Sequence, residues 1–180
     1  MNKTTIEWTD YTWNPVTGCT KVSQGCKNCY AETMANRFWG ERKFTDVQCH
    51  PERLSEPLQN AKKWRGKKVF VCSMSDLFHQ SVPDQFIIEL WQVMGMMKDT
   101  TFQIVTKRIY RALEFFRMAM PVYFNGLEQK YFPLKNIWIG TSLEDQATAN
   151  ERIPLLLHIP AAVRFLSCDP EPKPTKLKYW

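Results

Sequence analysis

The sequence predicts an α/β protein built on a parallel sheet of about five strands, and three observations predict it. Residues 69–74, 101–106, 136–140 and 163–167 are short apolar runs without strict alternation, as strands buried on both faces are. Segments of helical periodicity separate them, which favours a parallel sheet with right-handed crossovers. Each run also ends in a polar cluster: Ser73-Met-Ser-Asp76, Thr106-Lys-Arg108, Gly140-Thr-Ser-Leu-Glu144 and Ser167-Cys-Asp169. In parallel α/β proteins the carboxyl ends of the strands are where sites form.

The first β segment falls within residues 4–17, where Trp8, Tyr11 and Trp13 mix with threonines before Asn14-Pro15 and Thr17-Gly18 close a turn. From Cys29 to Phe38 an amphipathic helix is expected. Tyr30, Met34 and Phe38 recur every four residues beside Ala31 and Ala35, and Gly40 follows as terminator. A second helix is expected from Pro57, capped by Ser55, with Leu58, Ala61 and Trp64 inward. After the strand at 69–74, Ser81-Val-Pro-Asp84 reads as a capping box. It opens a helix whose face is Phe86, Ile87, Leu90, Trp91, Met94 and Met97, with the methionines as core filler.

The strand at 101–106 is followed by a helix with Ile109, Leu113 and Phe116 inward. Residues 119–135, with Pro121, Asn125-Gly126 and Pro133, read as an insertion or long loop. Beyond the strand at 136–140, Ser142 and Asp145 can cap a helix facing inward through Ala149, Ile153, Leu156 and Leu157, with a kink at Pro154. The last strand, 163–167, precedes a proline-broken tail, Asp169 to Pro174.

A chain of 180 residues, 44% hydrophobic, fits one domain covering 1–180 with a core that needs no disulfide staples. No run is apolar enough to span a bilayer, since the best, residues 86–97, carries Glu89 and Gln92. The first ten residues contain no apolar signal region, and the clustering of the six cysteines suits ligands in a reducing, cytoplasmic compartment. The net charge of +6 is spread widely, densest at Lys62, Lys63, Arg65, Lys67 and Lys68. That run reads first as a solvated helix end and second as a phosphate-attracting patch for nucleic acid.

The stretch richest in chemistry is Gly18 to Ala35, which holds Cys19, Cys26 and Cys29 in the spacing C-x6-C-x2-C. Three thiolates are one short of a closed tetrahedral zinc site. They are also one short of the four that fully ligate a [4Fe–4S] cluster, and so would leave one iron open to a small molecule. Cys49 or His50 would complete a zinc site on a basic, nucleic-acid-binding protein, if the chain beyond the helix folds back. Cys72 and Cys168, at the ends of apolar strands, read as buried small hydrophobes.

The three-cysteine loop ending in Cys-x-x-Cys-Tyr, followed by β/α units, resembles the radical S-adenosylmethionine superfamily. More closely, WNPVTGC, VSQGCKNCYAE, SMSDLFH, TKR and GTSLEDQ resemble an uncharacterised phage and prophage family within it, from about Thr5 to Pro172. The resemblance implies a partial (β/α) barrel of the radical S-adenosylmethionine type, open on one side. It implies a [4Fe–4S] cluster on Cys19, Cys26 and Cys29 whose open iron takes S-adenosylmethionine. Reductive cleavage would then yield a 5′-deoxyadenosyl radical that abstracts hydrogen from substrate, with a flavodoxin or ferredoxin as electron donor.

By the same resemblance Tyr30 packs near the adenine, and Ser73, Ser75 and the adjoining Asp76 lie where the methionine amino group is contacted. Lys107 or Arg108 binds the carboxylate, and Ser142 or Glu144 the ribose hydroxyls. The chain departs from the superfamily in two ways. Six residues rather than three separate the first two cysteines, and five strands replace the usual six β/α units. A missing last β/α unit and C-terminal segment, an exposed strand edge at 163–167, and a partner polypeptide completing the barrel are therefore expected. The substrate implied by the phage relatives and the positive charge is a nucleic acid or nucleotide, and an inactive remnant is the remaining alternative.

Overall fold

The computed structural model describes residues 4–123 and 133–168. Strand β1 (Tyr11–Trp13) opens the sheet and is followed by β2 (Val16–Thr17), the cysteine loop and helix α1 (Tyr30–Phe38). Next come β3 (Gln48–Cys49), two one-turn helices α2 (Glu56–Gln59) and α3 (Ala61–Trp64), and β4 (Lys68–Val71). Three helix–strand repeats follow: α4 (Asp84–Met96), β5 (Thr101–Thr106), α5 (Ile109–Tyr123), β6 (Ile137–Leu143), α6 (Gln146–Leu157) and β7 (Val163–Cys168). The main sheet runs β1-β4-β5-β6-β7, every pair parallel, and β2 pairs with β3 in a separate antiparallel ribbon.

The alternation of strand side chains divides the sheet into two faces. Val69, Val71, Phe102, Ile104, Ile137 and Ile139 join one core with Leu90 and Met94 of α4 and Leu113 and Phe116 of α5. The opposite face carries Phe70, Gln103, Trp138, Gly140 and Phe165, by the register of β4 to β7. Trp8 touches the rings of both Phe70 and Phe165, although β5 and β6 lie between their strands. One indole reaches both only because the sheet curls around it. The fold is the expected partial barrel of five parallel strands, open on one side. Gly140 admits the ring of Phe165, since a Cβ there would stand 2.7 Å from it.

Several elements differ from the sequence reading, each for a physical reason. The buried face of α1 is Ala31 and Ala35, which pack on Phe44, while Tyr30, Met34 and Phe38 are 53%, 44% and 63% exposed. Small alanines let the helix approach closely, so the aromatic stripe faces outward. The helix expected from Pro57 splits at Asn60 into α2 and α3; Leu58 and Ala61 are exposed and Trp64 alone is deeply buried. The Ser81–Asp84 capping box does not form: α4 begins at Asp84 with Pro83 at the N-cap, and the Ser81 N–H donates to His79 Nδ1.

Helix α5 continues through Pro121, and Pro154 lies inside α6. The Asn125-Gly126 turn and the tail from Asp169 fall outside the described residues. The capping box that does form belongs to α6, where Asp145 accepts from the Thr148 N–H and the Thr148 hydroxyl accepts from Asp145 N. Ser142 stays in β6, and Leu157 is exposed while Leu156 is buried. Cys72 is buried as expected, its thiol pushed up to about 12 by burial, but Cys168 is exposed at the end of the edge strand. Among the described residues no helix is long and apolar enough to cross a membrane.

Candidate functional site

The cysteine loop lies over the carboxyl ends of β4, β5 and β6. It leaves β2 through Gly18, whose φ of +90° and close approach to the carbonyls of Phe44 and Asp46 leave no room for a side chain. The Gly18 N–H donates to Met74 O and the Cys19 N–H to Phe44 O, which ties the entry of the loop to the segment after β4. A single 3-10 turn, Gln24–Cys26, precedes Cys29, the N-cap residue of α1.

Two carboxylates from different strand ends hold the loop. Asp76 Oδ1 accepts from the Phe78 N–H and the Thr106 hydroxyl, and Oδ2 from the Lys107 N–H at 3.1 Å and Arg108 Nη1 at 3.3 Å. Arg108 in turn donates from Nη2 to Thr20 O at 2.8 Å and Thr20 Oγ1 at 2.9 Å, and from Nη1 to Cys19 Sγ at 3.3 Å. Farther along, Glu144 accepts from Ser23 Oγ at 2.5 Å, Gly25 N at 2.8 Å and Lys107 Nζ at 2.8 Å, with Arg152 Nη1 at 3.4 Å. Gly25 is glycine for a steric reason: a Cβ would stand 2.5 Å from Glu144 Cδ.

The electrostatics follow from this geometry. Burial resists ionisation of Glu144, but hydrogen bonds from Lys107, Ser23 and Gly25 overcome it and hold its carboxyl down at about 2. Burial pushes the Cys19 thiol up, with Arg108 opposing. Burial acts the same way on Cys26, yet backbone hydrogen bonds from Val22 and Ser23 and the Ser23 hydroxyl bring its thiol below the ordinary value. His79 is lowered by burial and by Arg108; with Nδ1 accepting from Ser81, Nε2 carries the proton and faces Thr20 Oγ1 at 2.9 Å. Asp76 and Glu144 thus meet three cations, Lys107, Arg108 and Arg152, which leaves a positive charge in surplus beneath the loop.

Of the residues singled out from sequence, Asp76, Lys107, Arg108, Glu144 and Cys19 form one connected network. Lys107 and Arg108 both face the site, although adjacent strand residues would point opposite ways, because β5 ends at Thr106. Ser73 and Ser75 lie close by, their hydroxyls donating to Asn14 Oδ1 and Val16 O. The Tyr30 hydroxyl donates to Ser73 O and holds the start of α1 against the segment after β4. Ser142 is buried on the concave face, and its carbonyl accepts from Arg152 at 2.7 Å. Sequence reasoning missed the roles of Thr20, Ser23, Gly25, His79 and Arg152, although Thr20, Ser23 and Gly25 lie in the cysteine stretch and His79 in SMSDLFH; only Arg152 lay outside every motif singled out.

The donor set suits a polynuclear group better than a single ion. One zinc ion with Zn–S bonds near 2.3 Å needs its thiolates within about 4 Å of each other. Among the described residues no three His, Cys, Asp or Glu side chains converge in that way. The two candidate fourth zinc ligands are engaged elsewhere. Cys49 is in β3 opposite Val16 and packs on the main core, while Cys19 and Cys29 pack on the separate cluster around Ala35. His50 is occupied at both ring nitrogens, by Thr17 Oγ1 at 2.7 Å and Glu52 at 3.2 Å. A four-iron cluster places each cysteine on a different iron and so accepts a wider spread. With Asp76 and Glu144 taken up by cations, the three thiols of the loop are left as the donors, and thiolate is the ligand type such a cluster takes.

Two solved structures share the fold. A cysteine-to-serine mutant of spore photoproduct lyase superposes with a TM-score of 0.59 at 13% identity, over 92% of this chain and 47% of that one. A double mutant of spore photoproduct lyase with bound AdoMet and dinucleoside spore photoproduct gives 0.56 at 14% identity, over 89% and 45%. The chain therefore spans about half the length of the solved structures it matches, and at this identity the likeness is one of fold. No curated protein matches the sequence. Matched over residues 3–177 by the family described as "Protein of unknown function (DUF5131)", the chain belongs to that family.

Proposed function

We propose that the chain is a radical S-adenosylmethionine enzyme domain in which Cys19, Cys26 and Cys29 hold a [4Fe–4S] cluster. The observation that carries this reading is the clamped loop. Three thiols lie over the carboxyl edge of a parallel half-barrel, fixed by Asp76 through Arg108 and by Glu144 through Ser23 and Gly25. When bound, the cluster and S-adenosylmethionine together supply a one-electron cleavage that generates a hydrogen-abstracting species.

The chain's own residues do the remaining work. Asp76 and Glu144 hold the loop, so their roles are positioning ones in place of direct contact with the methionine or ribose. Arg108 has both terminal nitrogens committed and does not bind the carboxylate. Lys107, whose ammonium meets Glu144 and whose side chain is partly exposed, is the cation that remains to receive it. The Ser142 hydroxyl, on the same concave face as Gly140, suits a ribose hydroxyl, and the exposed Tyr30 ring an adenine edge.

A nucleotidic substrate is supported by the net charge of +6 and by the dinucleoside bound in the lyase neighbour. An acidic one-electron donor such as a flavodoxin or ferredoxin suits the same charge. The outer edge of β7 has no strand partner among the described residues, which supports pairing there with a further strand.

Anaerobic reconstitution with iron, sulfide and zinc analysis tests the reading. The expected result is roughly four irons per chain with matching acid-labile sulfide. Cys19→Ala, Cys26→Ala and Cys29→Ala should each lose the cluster, while Cys72→Ala keeps it. Incubation with S-adenosylmethionine and dithionite should release methionine and 5′-deoxyadenosine. Stoichiometric zinc without sulfide would sink the proposal.

A further inference from the structure

Arg108 does more at the loop than hold it. Its side chain is largely buried and makes four directed contacts besides filling space, and those contacts fix the guanidinium plane. Nη2 is pinned by two oxygens of Thr20, at 2.8 Å and 2.9 Å. Nη1 sits 3.3 Å from Asp76 Oδ2 and 3.3 Å from Cys19 Sγ. Thr20 Oγ1 also meets His79 Nε2 at 2.9 Å, so the loop cannot drift from the guanidinium without breaking a second contact. A rigid fork of this kind aims an N–H at the sulfur where a lysine ammonium would wander.

The contact is also selective. Among the described contacts Cys19 alone of the three receives a cationic donor; Cys26 has the Ser23 hydroxyl at 3.7 Å. Resting on the cluster reading above, we infer that Arg108 is a positioning residue that sets the reduction potential of the cluster through an N–H···S bond to the Cys19 ligand. Reduction adds one electron to the iron–sulfur core with no proton transferred, and the added charge spreads onto the ligand sulfurs. A cationic N–H donor stabilises the reduced form more than the oxidised form and so raises the potential. Asp76 keeps the fork oriented and prevents Arg108 from turning toward an incoming carboxylate.

The test is a redox titration of the reconstituted full chain with dithionite, followed by electron paramagnetic resonance, for the wild type, Arg108→Gln and Thr20→Val. Arg108→Gln should carry a full complement of iron and sulfide. Its one-electron reduction should become at least tenfold less favourable, a shift of about 59 mV to more negative potential. Thr20→Val removes the two Oγ1 contacts, to Nη2 and to His79, but leaves Thr20 O and Asp76 to hold Nη1 on the sulfur, so its potential should stay with the wild type.

An unshifted Arg108→Gln, or a Thr20→Val shifted as far, overturns the inference. If Arg108→Gln does not hold the cluster, the wild type decides. Protein labelled with ¹⁵N in its arginine guanidinium groups should show a ¹⁵N coupling to the reduced cluster, and its absence is equally fatal. Failure of the cluster reading looks different, because the wild type would then contain no acid-labile sulfide at all.

Discussion

Replacing Glu144 by Gln should destabilise the fold by about 2 kcal/mol at neutral pH, and the effect should fade in acid. Glu144 is 6% exposed and accepts from Ser23, Gly25 and Lys107, with Arg152 behind it. Those donors hold its carboxyl at about 2, against an ordinary value of 4.5. At 1.36 kcal/mol per pH unit the difference corresponds to roughly 3 kcal/mol of preference for the folded, ionised form. Solvent reaches the carboxylate around the loop, and screening brings this to about 2 kcal/mol.

Because the folded value lies below the unfolded one, this stability is fully present above pH 4.5 and is lost as the pH falls through about 2. For a chain of this size 2 kcal/mol is about 4–8 °C in Tm. Urea denaturation of the apoprotein, followed by circular dichroism at pH 7 and pH 2.5, measures it. Glu144→Gln should lose about 2 kcal/mol at pH 7 and much less at pH 2.5. A variant as stable as the wild type at pH 7, or an equal deficit at both pH values, would refute the clamp.

Three further outcomes follow from the same geometry. Gly25→Ala places a Cβ 2.5 Å from Glu144 Cδ, so it should match Glu144→Gln in lost stability and open the loop to limited proteolysis. On α1 the two stripes should behave oppositely in thermal melts. Phe38→Ser should change stability by less than about 0.5 kcal/mol, while Ala35→Leu, forced against Phe44, should cost about 1–3 kcal/mol. In native apoprotein at pH 8, iodoacetamide mapped by mass spectrometry should modify Cys26 before Cys19 and leave Cys72 untouched until unfolding. The Cys26 thiol lies below its ordinary value, Cys19 above it, and Cys72 near 12 behind a buried wall.

The sheet was legible in the sequence because a strand buried on both faces leaves a run that few other structures produce. Residues 101–106 were read as they stand in β5, and 136–140 overlaps β6, which starts at Ile137 and runs on to Leu143. The inward helix faces of α4 and α5 were legible for a similar reason, six large side chains at helical spacing in α4 alone. What failed was orientation where small residues decide packing. In α1 the periodic aromatics looked like core, but Ala31 and Ala35 let the helix sit closer to Phe44 than Tyr30 or Phe38 would.

The clamp was illegible for another reason. Ser23 and Glu144 lie 121 residues apart, and nothing in either segment names the other. Asp76, Lys107, Arg108 and Glu144 were recognised as a group by their shared place at strand ends. The ion pairs among them were not legible, because only the register of β4, β5 and β6 brings them together.

The division between core and loop bears on what the site can tolerate. The barrel's outer face is held by burial of Val71, Ile104, Ile139 and their helix partners, which involves no titrating group. The loop is held mainly by charge. Cys19 and Cys29 touch the small cluster of Ala31, Ala35 and Phe44, but the segment between them is anchored on Glu144, with Val22 about half exposed. Charged contacts of low exposure have directional requirements that apolar packing lacks, so they fix where three thiols stand to within a hydrogen bond's tolerance. The same dependence makes the loop the first part to loosen when Glu144 or Arg108 changes, well before the sheet beneath it responds. A cysteine loop needs that ordering of strengths: the scaffold survives substitutions at the site, while the spacing of the sulfurs is set by two carboxylates and the cations between them.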